Sequence, residues 1–174
     1  MPDADDVTAA FVETSINHLR DLTGTIRHCV DQLDDEQVWH RPHESMNSIA
    51  NLLLHLIGNA KQWITSGVGG VPDTRDRPAE FTDRSEASKA ELLARLDAMV
   101  SEIEGVISGM TAQSAVTRRR VQGFDGMTGV GCVFHSLAHY YGHTQEIVHM
   151  TRVMLGERYR FKWAPSTPEE GAGD

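Results

Sequence analysis

"HSLAHYYGHTQEIVHMTR", His135 to Arg152, sets histidines at 135, 139 and 143 in steps of four and adds another at 149. Steps of four follow the turn of an α-helix, so the first three imidazoles form a ridge along one side of it. At about 100° per residue, Val133, Ile147, Thr151 and Met154 gather on one arc, with Gln145, His149 and Arg152 roughly opposite. The apolar arc must face a core. Measured from Ile147, His143 lies about 40° away, His139 about 80° and His135 about 120°. Burial should fall in that order, which makes His139 and His143 the inward pair. The helix that carries them is expected over residues 128 to 155, with Gly156 as its C-terminal cap.

Three further apolar stripes of helical period precede it. Phe11, Leu19, Leu22, Ile26, Val30 and Leu33 predict a long helix over residues 6 to 34, ended before Pro42. Ile49, Leu53, Leu56, Ala60 and Trp63 predict a second, capped by Asn47 or Ser48. "SGVGGVPDTRDRP" then marks a loop of more than a dozen residues, within a connection spanning 67 to 84. "SKAE", Ser88 to Glu91, has the form of a capping box and opens a third helix through Leu92, Leu96, Met99, Ile103 and Val106, ending near Gly109. "TAQSAVTRRRVQGFDGMTG" has no such stripe and reads as a crossing segment with one extended piece. The expectation is an all-α, four-helix bundle with a long connection between helices 2 and 3 and a crossing segment before helix 4. One domain over residues 1–164 is expected, followed by a disordered tail over 165–174.

With 174 residues, 40% of them hydrophobic, the chain is near the usual size of one domain and closes one core. Sixteen basic against 25 acidic residues give a formal charge of −9, which opposes phosphate binding, so no nucleic-acid partner is expected. The short run Arg118 to Arg120 is read as a solvated or acid-pairing segment. "MPDADDVTAAF" lacks the apolar region of a secretory signal, and no run reaches the ~18 apolar residues of a membrane span. Cys29 and Cys132 show neither metal nor disulfide spacing. These features suit a cytoplasmic protein with no membrane partner.

Histidines at i and i+4 have Cβ atoms about 6 Å apart, within reach of one ion. Neutral imidazole suits Zn²⁺, Ni²⁺, Cu²⁺ or Fe²⁺, and a third ligand from another helix leaves positions open for water or substrate. H-x-x-x-H also arises in histidine-rich helices where carbonyls satisfy the rings, so spacing alone does not choose. For a third ligand, His18 and His28 flank the first stripe, and His40 and His43 form H-x-x-H in a loop. His55 interrupts "IANLLLHLIGN", and the helical wheel leaves it undecided between core residue and ligand.

"NSIANLLLHLIGNAKQWI", followed some eighty residues later by "HSLAHYYGHTQEI", resembles the DinB-like (YfiT-like) superfamily of bacterial metalloenzymes. The likeness runs from the first helix to about Trp163. It implies a four-helix bundle whose metal is held by a second-helix histidine, here His55, and by the fourth-helix pair, here His139 and His143. His135 matches a histidine common in similar sequences but stands outside the ligand trio. One departure is visible: the common form H-x-G-Q after the second histidine is replaced here by Thr144, Gln145 and Glu146. The closing "LGERYRFKWAP" suggests a subgroup of the superfamily.

The resemblance implies a divalent metal, Zn²⁺ or Ni²⁺, a small-molecule substrate and chemistry on low-molecular-weight thiols, as in bacillithiol transferases and mycothiol-dependent isomerases. Glu146 is the candidate catalytic side chain, as base or as a group that orients a ligand, set against an ordinary surface carboxylate. Tyr140, Tyr141, Trp39, Trp63 and Trp163 are expected to serve packing before chemistry. The competing expectation is a non-catalytic, metal-stabilised homodimer that uses outward apolar residues such as Leu54 and Phe134 as its face.

Overall fold

The computed structural model describes residues 2–163, so the tail expected over 165–174 lies outside the described residues. Among those residues there are seven α-helices and one two-stranded sheet. Helix α1, Ala4–Asp31, starts where Asp3 accepts from the amides of Asp5 and Asp6 and Asp6 returns the bond, satisfying donors that the first turn leaves free. Its buried stripe includes Leu19, Ile26, Cys29 and Val30. The helix stops three residues short of expectation because Asp34 caps a separate short helix, α2, Asp35–Trp39.

Ser48 caps α3, Ile49–Ala60, and the helix runs on through a π-helical stretch, Lys61–Ser66. Helix α4, Arg77–Thr82, lies within the connection expected to be a loop; Asp76 caps it and Pro78 falls in its first turn. The Ser88–Glu91 capping box opens α5, Lys89–Ser108, as expected. Helix α6, Ala112–Val116, and a hairpin follow, and then α7, Gly129–Leu155, with Gly156 at its end at φ 54°.

Helix α1 packs against α5 and α7, and α3 packs against the same two. One cluster runs through all four, from Leu19 and Ile26 through Leu52, Leu53 and Leu56 to Leu96, Ile103 and Ile147, each at most 1% exposed. Each such side chain contributes about 1.5–3 kcal/mol by leaving water, so the long helices are held mainly by this shared interior. No helix of the described residues is long and apolar enough to cross a membrane.

The crossing segment corrects the sequence expectation, which allowed one extended piece and no strand pair. Strands β1, Arg118–Val121, and β2, Phe124–Thr128, pair antiparallel with Val121 opposite Phe124. Gln122 and Gly123 both have positive φ, 52° and 83°, the backbone of a two-residue turn that suits the twist of paired strands. The strands are short and mostly exposed, so they lack the apolar alternation that reveals a strand in sequence. Within the arginine run, Arg118 and Arg119 donate to backbone carbonyls, and acid pairing is seen at Arg120, which is exposed and faces Asp125 at 3.7 Å.

Candidate metal centre

Helices α3 and α7 bring His55, His139 and His143 together. Each ring offers one nitrogen, and the three lie within 4.8 Å of one another. His55 Nε2 and His139 Nε2 are 2.8 Å apart, and the rings of His55 and His143 stand nearly perpendicular with centroids 5.2 Å apart. His55 is buried at 4% exposure, while His139 and His143 are half-buried. One side of the cluster is therefore anchored in the interior and the other reaches toward solvent.

The wheel reading of α7 holds for His135, at the margin of the inward pair, and for His149, on the outer side, both of which are exposed. His135 lies flat against the buried Trp63 at 3.8 Å between centroids. The hairpin supports that tryptophan, since Trp63 Nε1 donates to Gln122 Oε1 and Phe124 stands beside it. The remaining histidines do not join the cluster. His28 Nε2 meets the Arg160 carbonyl at 2.6 Å, His43 Nδ1 pairs with Ser45, and His18 and His40 are exposed.

Burial, with His143, His55, His135 and Arg75 adding positive surroundings, lowers the pKa of His139 to about 4. At neutral pH the ring is then uncharged and keeps a lone pair for a cation. Burial also lowers His135. The chemistry of the donor set fits a borderline divalent ion: three imidazoles from two helices, with no carboxylate among them.

Carboxylates stand behind two of the three rings. Glu146 Oε2 is 2.7 Å from His143 Nδ1, with the Glu146 side chain 43% exposed. Glu146, three residues after His143, thus touches the Nδ1 nitrogen of a candidate ligand. Glu80 Oε2 is 2.8 Å from His55 Nδ1 and is almost fully enclosed. Sequence reading missed Glu80 because it sits in an acidic and basic run without periodicity. The signal that was present is D-R-P-A, an N-cap followed by a first-turn proline, which marks α4 and places Glu80 inside it.

Arg75 holds this glutamate with two parallel bonds, Nε to Oε1 at 2.7 Å and Nη2 to Oε2 at 2.8 Å. Burial pushes the Glu80 carboxyl up, but Arg75 and His55 outweigh it, leaving its pKa below the usual carboxylate value. Phe81, next in sequence, lies 4.7 Å from the His55 ring, and Arg77 sits over the Phe81 face at 5.0 Å. The connection between α3 and α5 is thus one wall of the centre.

Among the aromatic residues, Tyr140 is buried and bonded to Thr23, Trp39 donates to the Ala87 carbonyl, and Tyr141 and Trp163 are exposed. Leu54 and Phe134 lie on different faces. Leu54 is partly buried beside the 67–84 connection, whereas Phe134 is 69% exposed in a groove between α1 and α7. Cys29 and Cys132 are buried free thiols.

A family model described as "Protein of unknown function (DUF1572)" matches residues 6–166, a span that contains the three histidines and both carboxylates. No curated protein matches the chain.

Proposed function

The chain belongs to the DUF1572 family, and on that premise we propose that it is a metal-dependent enzyme whose divalent cation, Zn²⁺ or Ni²⁺, is held by His55, His139 and His143. The observation that carries this reading is the convergence of one nitrogen from each ring within 4.8 Å. A chance H-x-x-x-H on α7 gives no reason for a buried histidine of α3 to meet it. The four long helices are read as a four-helix bundle of the DinB-like kind, with the centre between its second and fourth helices.

A divalent cation held by His55, His139 and His143 would supply Lewis acidity, which lowers the pKa of a thiol or water. The protein's part is to hold the rings neutral and aimed. Burial keeps His139 uncharged at neutral pH, and Glu146 accepts the Nδ1 proton of His143 so that the opposite nitrogen is free. By its resemblance to the DinB-like superfamily, the reaction is the transfer or isomerisation of a small molecule with a low-molecular-weight thiol as nucleophile. Glu146 is accordingly assigned to orienting His143 rather than to abstracting a substrate proton.

The test is the metal content of protein expressed with Zn²⁺ and Ni²⁺ present and kept from chelators. Wild type should carry about one metal per chain, and His55→Ala and His143→Ala should each lose it. Retention in both variants would return the histidines to packing, and a wild type with little metal ends the proposal.

A second reading has its own observation. Phe134 and Tyr141, 69% and 57% exposed, line an apolar groove with Phe11, Leu22 and Leu137 between α1 and α7. A non-catalytic homodimer stabilised by its metal would use that face. It predicts a dimer in sedimentation equilibrium and a steep drop in melting temperature when the metal is removed.

A further inference from the structure

Helix α3 and the π-helical stretch that continues it present Asn51, His55, Gly58 and Gln62 at spacings of four, three and four, which place them along one ridge. All four meet the segment 67–84. Asn51 Nδ2 donates to the carbonyls of Glu80 and Asp83, at 2.9 and 3.3 Å. At the other end Gln62 accepts from Arg75 Nη1 at 2.8 Å and donates to Asp73 at 2.7 Å. Between these two amides lie His55 and Gly58, opposite Glu80.

Gly58 is where the absence of a side chain matters. A Cβ built there would stand 1.9 Å from Glu80 Oε1 and 3.0 Å from Arg75 Nε. With a side chain at that step, the carboxylate would have to shift from its place beside His55. The Arg75 and Glu80 side chains are 4% and 9% exposed, so this is an enclosed ion pair, which persists in a fold only when its hydrogen bonds are met.

The bonds also decide the ring's proton. Glu80 Oε2 and Arg75 Nη2 both lie near His55 Nδ1, at 2.8 and 3.1 Å. Arginine can only donate, and the same Nη2 already donates to Glu80 Oε2 at 2.8 Å. An ionised carboxylate is the stronger partner for an N–H, so Nδ1 carries the proton and donates to Glu80. Nε2 is left as the lone-pair nitrogen, on the side where His139 Nε2 stands 2.8 Å away.

We propose that Glu80, clamped by Arg75, is a positioning residue that fixes the His55 ring with Nε2 toward a divalent cation, and that seating of the 67–84 segment on α3 and metal binding are one coupled event. This rests on the metal-centre reading above. Coupling is reciprocal: whatever seats the segment raises metal affinity, and metal seats the segment to the same degree. The segment closes the centre from one side through Phe81 and holds it from behind through Glu80.

Two measurements on the full chain test this. Zn²⁺ and Ni²⁺ are titrated into stripped wild type, Glu80→Gln and Glu80→Asp, with circular dichroism to show that each variant is folded. Glu80→Gln should bind about 10- to 100-fold more weakly, and Glu80→Asp should recover part of the loss because the charge remains. Amide hydrogen exchange of wild type, with and without Zn²⁺, should show slower exchange across 67–84 when metal is present, a change that a purely structural ion pair would not produce. Wild type needs no variant to fold, so this second arm stands alone. Unchanged affinity in Glu80→Gln, or exchange in 67–84 that ignores the metal, overturns the coupling while leaving the metal centre intact. Wild type that takes up no metal overturns both.

Discussion

At the scale of single residues, two neighbours on α7 show how adjacent side chains separate into packing and chemistry. Tyr140 follows His139 directly, yet it turns into the core at 1% exposure, and its hydroxyl meets Thr23 Oγ1 at 3.0 Å. Thr23 already donates to the Leu19 carbonyl, so the tyrosine is the donor in this pair. Burial pushes the Tyr140 phenol up to about 12, which removes it as a base at neutral pH. Tyr140→Phe should therefore cost about 1 kcal/mol of stability, measured by urea unfolding, and leave metal affinity unchanged. A large loss of affinity would show that the tyrosine reaches the centre. Reading α7 from the sequence worked because its histidines lie on a ridge whose angle to the core can be measured. His55 resisted because α3 is surrounded by α2, α4, α5 and α7. Nine of its twelve residues are buried, so no polar face gives the helix a direction.

At the scale of elements, the long helices were legible and their connections were not. Caps and stripes are local, so Ser48, the Ser88–Glu91 box and Gly156 mark helix ends without knowledge of the fold. The 67–84 segment is defined instead by what it touches on α3, and nothing in its own sequence states that Glu80 is enclosed. Its ion pair has a pH signature. The Glu80 pKa is lowered in the folded chain relative to an unfolded value of about 4.3. A depressed carboxylate contributes stability that is fully present above the unfolded value and lost as pH falls through the folded one. In metal-free protein, the stability gap between wild type and Glu80→Gln should be constant near neutrality and shrink below about pH 4. Urea unfolding of both proteins from pH 7 to pH 3 measures it, and a gap that widened on acidification would reverse the assignment. The hairpin also has a visible role among the connections, because Gln122 holds the Trp63 indole on whose face His135 lies.

At the scale of the whole molecule, the question is whether the centre serves the fold or the fold serves the centre. The main apolar cluster is drawn from all four long helices, whereas His139 and His143 are only half-buried at its margin. Its members are mostly aliphatic and nearly all sealed from water, so the shared core closes without an ion at its edge. Zinc modules that unfold on chelation are those too small to build such a core. Stripping the metal should then leave the far-ultraviolet circular dichroism of the protein unchanged. The melting temperature should fall only by what mass action requires, about 2.7 kcal/mol of lost stabilisation where free metal had stood at a hundred times its dissociation constant. The loss of order should be local, confined to 67–84 and to the half-buried rings of His139 and His143. Collapse of helicity on chelation would instead make the metal a structural member and favour the non-catalytic reading. A centre whose removal loosens only its own wall is what a site that must admit and release a small molecule requires, because openings of that kind draw on the least stable part of a fold.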